Sequence, residues 1–112
     1  MDPAMMTTAF ELPGWRVRET CGVVRGIIVR APTISQGLLG GLKSFVGGQI
    51  GAYTEMCEQA RQQAFDLLVE HAQALGANAI LGVRYDASSI TASGATEVLC
   101  YGTAVIVETG GA

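Results

Sequence analysis

The stretch DLLVEHAQALGANAILGVRYD, residues 66–86, changes its hydrophobic period halfway along and therefore predicts a helix followed by a strand. Up to Leu75 the apolar residues recur at intervals of three and four, which is the spacing of one helix face. Gly76 then supplies the left-handed residue that often ends a helix. The run from Asn78 to Asp86 is rich in apolar and β-branched residues, which is typical of a strand.

The predicted helix begins near Ala52 and carries two apolar lines. The second line consists of Phe65, Val69 and Ala72. One line can pack on the chain's own sheet, so the second needs another partner. We predict that this partner is a neighbouring subunit, and packing under the preceding glycine-rich segment is the alternative. The main line consists of Tyr53, Met56, Cys57, Ala60, Ala64, Leu67, Leu68, His71 and Leu75.

Two further strands are predicted outside this stretch. Residues 15–30 are extended and rich in β-branched side chains. Residues 96–108 contain an uncharged run from Val98 to Val107, which is typical of a central strand. The order is therefore β-α-β-β, an α+β domain with one long helix on a small antiparallel sheet and the last strand in the middle. A polar loop is expected at 87–94.

Length and composition indicate one domain that associates with copies of itself. The 112 residues suit a single domain with its core at about 14–108, and we expect residues 1–13 and 109–112 to be flexible. Charged residues make up 15% of the chain, against about 25% in a typical soluble domain. A protomer with few charges and a thin sheet leaves apolar surface exposed, so we predict a homo-oligomer.

Several classes of partner are disfavoured. The net charge is −3 and no basic cluster occurs, which argues against nucleic acid. The charge-free stretches, of which residues 31–42 are among the longest, are all shorter than the roughly 20 residues that cross a bilayer. The first residues lack the basic region of a secretory signal. Three widely spaced cysteines do not form a disulfide framework, so we expect reduced thiols and a cytoplasmic location.

The soft metal ligands are Cys21, Cys57, Cys100 and His71, and their spacing does not bring them together in one chain. Cys57 and His71 lie 14 residues apart on one predicted helix, which separates them by roughly 21 Å. Two ligands of one ion lie about 4 Å apart. Two kinds of metal site remain open: one across a subunit interface, using Cys100 with Cys57 or Cys21, and weak binding of a soft metal by a lone thiolate such as Cys100. The alternative is that the cysteines pack as small apolar residues.

No catalytic constellation is found. His71 is predicted to be a hydrogen-bonded core or interface residue, because no serine or cysteine nucleophile can be paired with it from the sequence. The segment 37–44 resembles a phosphate-binding loop only superficially, since Leu42 stands where the glycine before the lysine is required. We expect the glycine-rich residues 33–51 to be mainly a flexible connection. The aromatic residues Tyr85, Tyr101 and Trp15 can stack on a ligand between subunits or serve as packing residues.

Several motifs resemble one known family. They are GVVRG at 22–26, GANAI at 76–80 and YGTAV at 101–105. With their flanking residues they are similar to the YbjQ-like family, a domain labelled as heavy-metal-binding, over about residues 14–107. The resemblance implies a dodecin-like β-α-β-β subunit in a ring-shaped pentamer. Members often carry an acidic residue where this chain has Gln49.

Three functions follow as expectations, in order of preference. The first is an oligomeric binding or scaffold protein with small-ligand sites between its subunits. The second is a soft-metal-binding protein that uses cysteines across an interface. The third is an enzyme, although the sequence shows no catalytic residues for one. No cofactor is assigned.

Overall fold

The computed structural model describes residues 1–30, 48–89 and 95–110, and it describes side chains for all of these except 48–53. Three strands form one antiparallel sheet in the order β1-β3-β2. This confirms the α+β class with one helix on a small sheet and the last strand in the middle. The elements are β1 (Trp15–Arg30), α1 (Gly48–Ala74), β2 (Ala79–Ser89) and β3 (Thr96–Thr109), preceded by a short 3-10 turn at Pro3–Met5.

Helix α1 packs on β1 and β3 through a row of mostly small side chains. A Cβ atom at Gly26 of β1 would lie 1.9 Å from the carbonyl oxygen of Ala64 and 2.6 Å from the backbone nitrogen of Leu68. Only glycine permits so close an approach of helix and strand backbones. The helix residues buried by this contact are Ala60, Ala64, Leu68 and Ala72.

This row corrects the predicted division of the helix into two apolar lines. Ala72, predicted at a subunit interface, is fully buried in the chain's own core. Leu67 and Leu75, predicted to face the sheet, are 37% and 45% exposed. Hydrophobic periodicity gives large side chains the greatest weight, whereas close packing over Gly26 requires small ones. Phe65 and Val69 are half-buried and pack on the edge of the core.

The amino-terminal segment packs on β2, although flexibility was expected for residues 1–13. Thr7 donates its backbone N–H to the Ile80 carbonyl at 3.0 Å and accepts from the Val83 N–H at 3.0 Å. Gly82 donates to the Ala9 carbonyl at 2.8 Å. The pairing of β2 with β3 shifts register between Leu81 and Arg84, and Gly82 has a φ of +62° there.

Directly before β2, the side chain of Asn78 forms hydrogen bonds with the backbone of β3. Its Nδ2 donates to the Val107 carbonyl at 2.9 Å, and its Oδ1 accepts from the Val107 N–H at 2.8 Å. The side-chain amide therefore makes the pair of hydrogen bonds that a strand residue would make. Gly76 ends the helical turn just before it with a φ of +79°.

The face of the sheet that points away from α1 carries large exposed apolar residues. Val23 is 70% exposed and Val29 is 57% exposed. Residues alternate between the two faces of a strand, so these side chains lie opposite the buried Val24 and Gly26. We call this group the open patch. It consists of the exposed Val23, Ile27, Val29 and Tyr101 together with the half-buried Leu99.

No helix within the described ranges is both long and apolar enough to cross a membrane. Residues 33–47 of the predicted glycine-rich connection lie outside the described residues. They include the segment 37–44, which was compared with a phosphate-binding loop. Most of the predicted polar loop, residues 90–94, and the terminal residues 111–112 also lie outside them. β2 continues through Ser89, three residues beyond the predicted end of that strand.

Candidate functional site: a cleft beside Tyr85

A cleft of about 240 Å³ lies between the amino-terminal segment, α1 and β2. The amino-terminal segment forms one wall because its backbone is hydrogen-bonded to β2. Phe65 of α1 and Val83 of β2 form the apolar floor together with Met6. The lining residues are Pro3, Met6, Thr7, Thr8, Phe65, Val83 and Tyr85.

Tyr85 connects this cleft to the core through Cys100. The two residues are paired across β2 and β3. Burial raises the pKa of the Cys100 thiol, and the neighbouring Tyr85 hydroxyl opposes this shift less strongly. Burial also raises the pKa of Tyr85, with Cys100 adding to the shift. Both groups are therefore protonated at neutral pH.

Arg61 lies against the Tyr85 ring. Its guanidinium carbon is 5.6 Å from the ring centroid, within the range of a cation–π interaction. The positive charge of Arg61 lowers the pKa of Tyr85 and the negative charge of Glu58 raises it, both less strongly than burial does. Within the described ranges, Arg61 has no carboxylate oxygen within 4.0 Å. Arg61 is not one of the residues that line the cleft.

The structure separates the three cysteines that were predicted as metal ligands. Cys100 is fully buried in β3, Cys21 is half-buried in β1, and Cys57 is exposed on α1. Cys100 pairs with Gly26, which lies five residues after Cys21 along β1. That spacing puts Cys21 and Cys100 roughly 16 Å apart.

These positions do not fit a soft metal ion held by one chain. Within the described ranges no three His, Cys, Asp or Glu side chains come together as ligands. The buried Cys100 is also held as a thiol, whereas metal binding needs the thiolate. Any site that uses two or more of these cysteines therefore needs more than one subunit.

His71 is half-buried and hydrogen-bonded, as predicted. Its Nδ1 accepts the backbone N–H of Arg25 at 3.2 Å. Because Nδ1 is the acceptor, the neutral ring carries its proton on Nε2. His71 thus ties α1 to the edge of β1.

Sequence reasoning missed the cleft because it treated the amino-terminal segment as flexible. The available signal was the presence of apolar residues in that segment, among them Met5, Met6, Phe10 and Leu12. Met6 packs against the main core, and Met5 and Leu12 pack against a second buried cluster. That cluster consists of Ala79, Leu81, Val105 and Val107.

Two known proteins are similar to this chain over most of its length. The chain is 62% identical to a UPF0145 protein from Legionella pneumophila over 92% of this chain and 97% of that protein. It is 55% identical to a UPF0145 protein from Chromobacterium violaceum, over 93% of this chain and 88% of the relative.

A crystal structure of a protein with unknown function from Pediococcus pentosaceus, of the DUF74 family, shares the fold. Its TM-score is 0.61 at 19% identity, with 92% of this chain and 96% of that chain covered. The YbjQ family model, described as "Putative heavy-metal-binding", matches residues 4–108 and so includes most of the amino-terminal segment that packs on β2. The chain therefore belongs to the YbjQ family.

Proposed function

We propose that this chain is the subunit of a cytoplasmic, ring-shaped homo-oligomer that binds a small ligand and does not catalyse a reaction. The open patch is the observation that carries this proposal, because its large apolar side chains remain exposed in the single protomer. Five subunits is the count that the family resemblance implies. Three free cysteines support a reducing compartment.

A second copy of the chain is the occupant that fits the open patch. Burial of apolar surface contributes about 25 cal/mol per Å², so covering Val23, Ile27 and Val29 favours association. The same protomer exposes a second apolar surface, the helix line, which consists of Leu67 of α1 and Leu75 directly after its end. One copy can therefore supply the helix line that covers the open patch of the next.

Contact between two unlike surfaces explains why a ring is proposed. When a surface of one subunit meets a different surface of the next, the contact repeats from subunit to subunit. Such a head-to-tail contact closes into a ring if the rotation between neighbours allows it. A self-complementary patch would instead stop at a dimer.

Charge substitutions test this assembly. Val23→Glu in the open patch and Leu75→Glu on the helix line should each convert the oligomer to monomers, as measured by native mass spectrometry. Gln59→Glu, which adds the same charge at an exposed position of α1, should leave the subunit number unchanged.

A mixture of the two variants distinguishes a head-to-tail contact from a symmetric one. Val23→Glu subunits keep an intact helix line and Leu75→Glu subunits keep an intact open patch, so the mixture should form one-to-one dimers. An unchanged subunit number in the Val23→Glu variant would overturn the proposed interface.

A second candidate function is soft-metal binding, which the description of the family favours. It requires cysteines from adjoining subunits, with the exposed Cys57 as the most accessible and Cys100 and Cys21 as further candidates. Native mass spectrometry of the oligomer with Zn²⁺, Cu⁺ or Cd²⁺ should then show stoichiometric metal that is lost when all three cysteines become serine. Absence of retained metal, or retention by the serine variant, would contradict this candidate.

A further inference from the structure

We infer that the cleft beside Tyr85 binds a small carboxylate that carries a single aromatic ring. This inference rests on the proposed binding function and names its ligand class. The cleft walls come from one protomer, so ligand binding and assembly can be measured separately.

The size and lining of the cleft set the apolar part of the ligand. Its volume of about 240 Å³ is below the 300–1,000 Å³ that is common for drug-sized ligands. Phe65, Val83 and Met6 provide a mostly apolar surface. A molecule with one ring can fill this space and remove these side chains from water.

Two aromatic side chains favour a flat ring over an aliphatic one. Phe65 and Tyr85 both line the cleft. Aromatic rings in contact prefer offset-stacked or edge-to-face arrangements, which add to the energy of burial.

Arg61 sets the charge of the ligand. Arg61 does not line the cleft itself, but it precedes Phe65 by one helical turn and its guanidinium lies over the ring of Tyr85, which does, so we place it at the rim. It has no carboxylate partner among the described side chains. Arginine binds carboxylates through two parallel hydrogen bonds. Thr7 adds a polar group, because its hydroxyl oxygen accepts the Ala9 N–H and its proton remains free to donate.

Glu58 opposes an anionic ligand. Its negative charge raises the pKa of Tyr85, whereas the positive charge of Arg61 lowers it. Neutralising this residue should therefore strengthen binding of a carboxylate without changing the cleft walls. Glu58 thus provides a second variant whose expected effect has the opposite sign.

Calorimetric titration of the full chain with benzoate tests the inference, with benzamide as the neutral analogue. Benzoate should bind at one molecule per chain and at least about tenfold more tightly than benzamide, since a charge-assisted hydrogen bond contributes this much. Cyclohexanecarboxylate should bind more weakly than benzoate. Arg61→Gln should remove the preference for benzoate over benzamide, Arg61→Lys should keep part of it, and Glu58→Gln should raise benzoate affinity about twofold.

Arg18→Gln, at an exposed position of β1, is the matched control and should bind benzoate like the wild type. Equal affinity for benzoate and benzamide, or an Arg61→Gln variant that keeps the preference, would overturn the inference. An intact oligomer that does not bind benzoate would overturn the ligand class alone. A monomer that binds benzoate would support the cleft and contradict the proposed assembly.

Discussion

The helix-covered face of the sheet and the open patch are built from alternate residues of the same strands, yet they differ in the size of their side chains. On the covered face, Gly26 and Ala104 are small enough for the α1 backbone to approach the strands closely. On the other face, Val23 and Ile27 are large and remain exposed. The protomer's core therefore depends on close backbone packing, and its larger strand side chains are left for contact with another surface.

Gly26→Val should have the largest effect on the covered face. The new side chain would meet the backbone of Ala64, which cannot move aside as a flexible side chain would. Overpacking of this kind costs about 3 kcal/mol or more in the free energy of unfolding, so the folded state should be largely lost in circular dichroism. Gly110→Ala is the control, because its nearest neighbour would be 3.5 Å away. Equal stability of the two variants would contradict the close helix–strand contact.

Leu68→Ala and Leu75→Ala separate the two surfaces of α1. Leu68 is fully buried, so its truncation should lower the free energy of unfolding by about 3 kcal/mol. Leu75 is 45% exposed, and its truncation should act through association, with an effect that depends on protein concentration. Urea unfolding curves recorded at several protein concentrations measure both effects. A similar, concentration-independent loss in both variants would show that both residues belong to the protomer core.

Asn78→Ala tests the connection from the covering helix to the sheet. Loss of both hydrogen bonds to Val107 should cost about 1–2 kcal/mol, because each such bond contributes about 1 kcal/mol. Thermal unfolding should show a lower midpoint than in the wild type. Asn78→Asp keeps the acceptor but sets a carboxylate oxygen against the Val107 carbonyl oxygen, so its midpoint should also lie below that of the wild type. An unchanged midpoint in the alanine variant would exclude this role for Asn78.

The pH dependence of the free energy of unfolding tests whether Cys100 is buried beneath the helix. Of the changes in stability predicted here, this one should be the smallest. Burial raises the pKa of Cys100 in the folded state above the ordinary value of 9.0. As the pH rises, the thiol therefore ionises first in the unfolded chain. Its contribution to stability is complete below about pH 9 and is lost as the pH rises through the folded-state pKa.

Denaturation at pH 8 to 11 measures this contribution. The free energy of unfolding should fall less steeply with pH in Cys100→Ala than in the wild type, whereas Cys57→Ser, at an exposed position, should follow the wild type. Identical slopes in Cys100→Ala and the wild type would show that Cys100 is not held as a protonated thiol.

The element order and the central strand could be predicted because each leaves a local pattern. The uncharged run at 98–107 marks the central strand of the sheet, and Gly76 marks the end of the helix. The row of α1 that faces the sheet could not be predicted in the same way. It depends on how closely the helix approaches Gly26, and that distance is a property of the packed structure.

The cleft was not predictable because the segment that walls it is held largely by backbone hydrogen bonds. The pairing of Thr7 with Ile80 and Val83 requires no particular side-chain period. The register shift at Gly82 that accompanies this pairing also leaves no pattern beyond one glycine in a strand. The role of Tyr85 became visible only once this wall was in place.

Sedimentation equilibrium of the unmodified chain tests most directly whether identical copies cover the open patch. The chain has a mass of 11.7 kDa, and a ring requires a single species at a fixed multiple of that mass at micromolar concentration. We expect this multiple to be five. A folded species of 11.7 kDa under the same conditions would contradict the account.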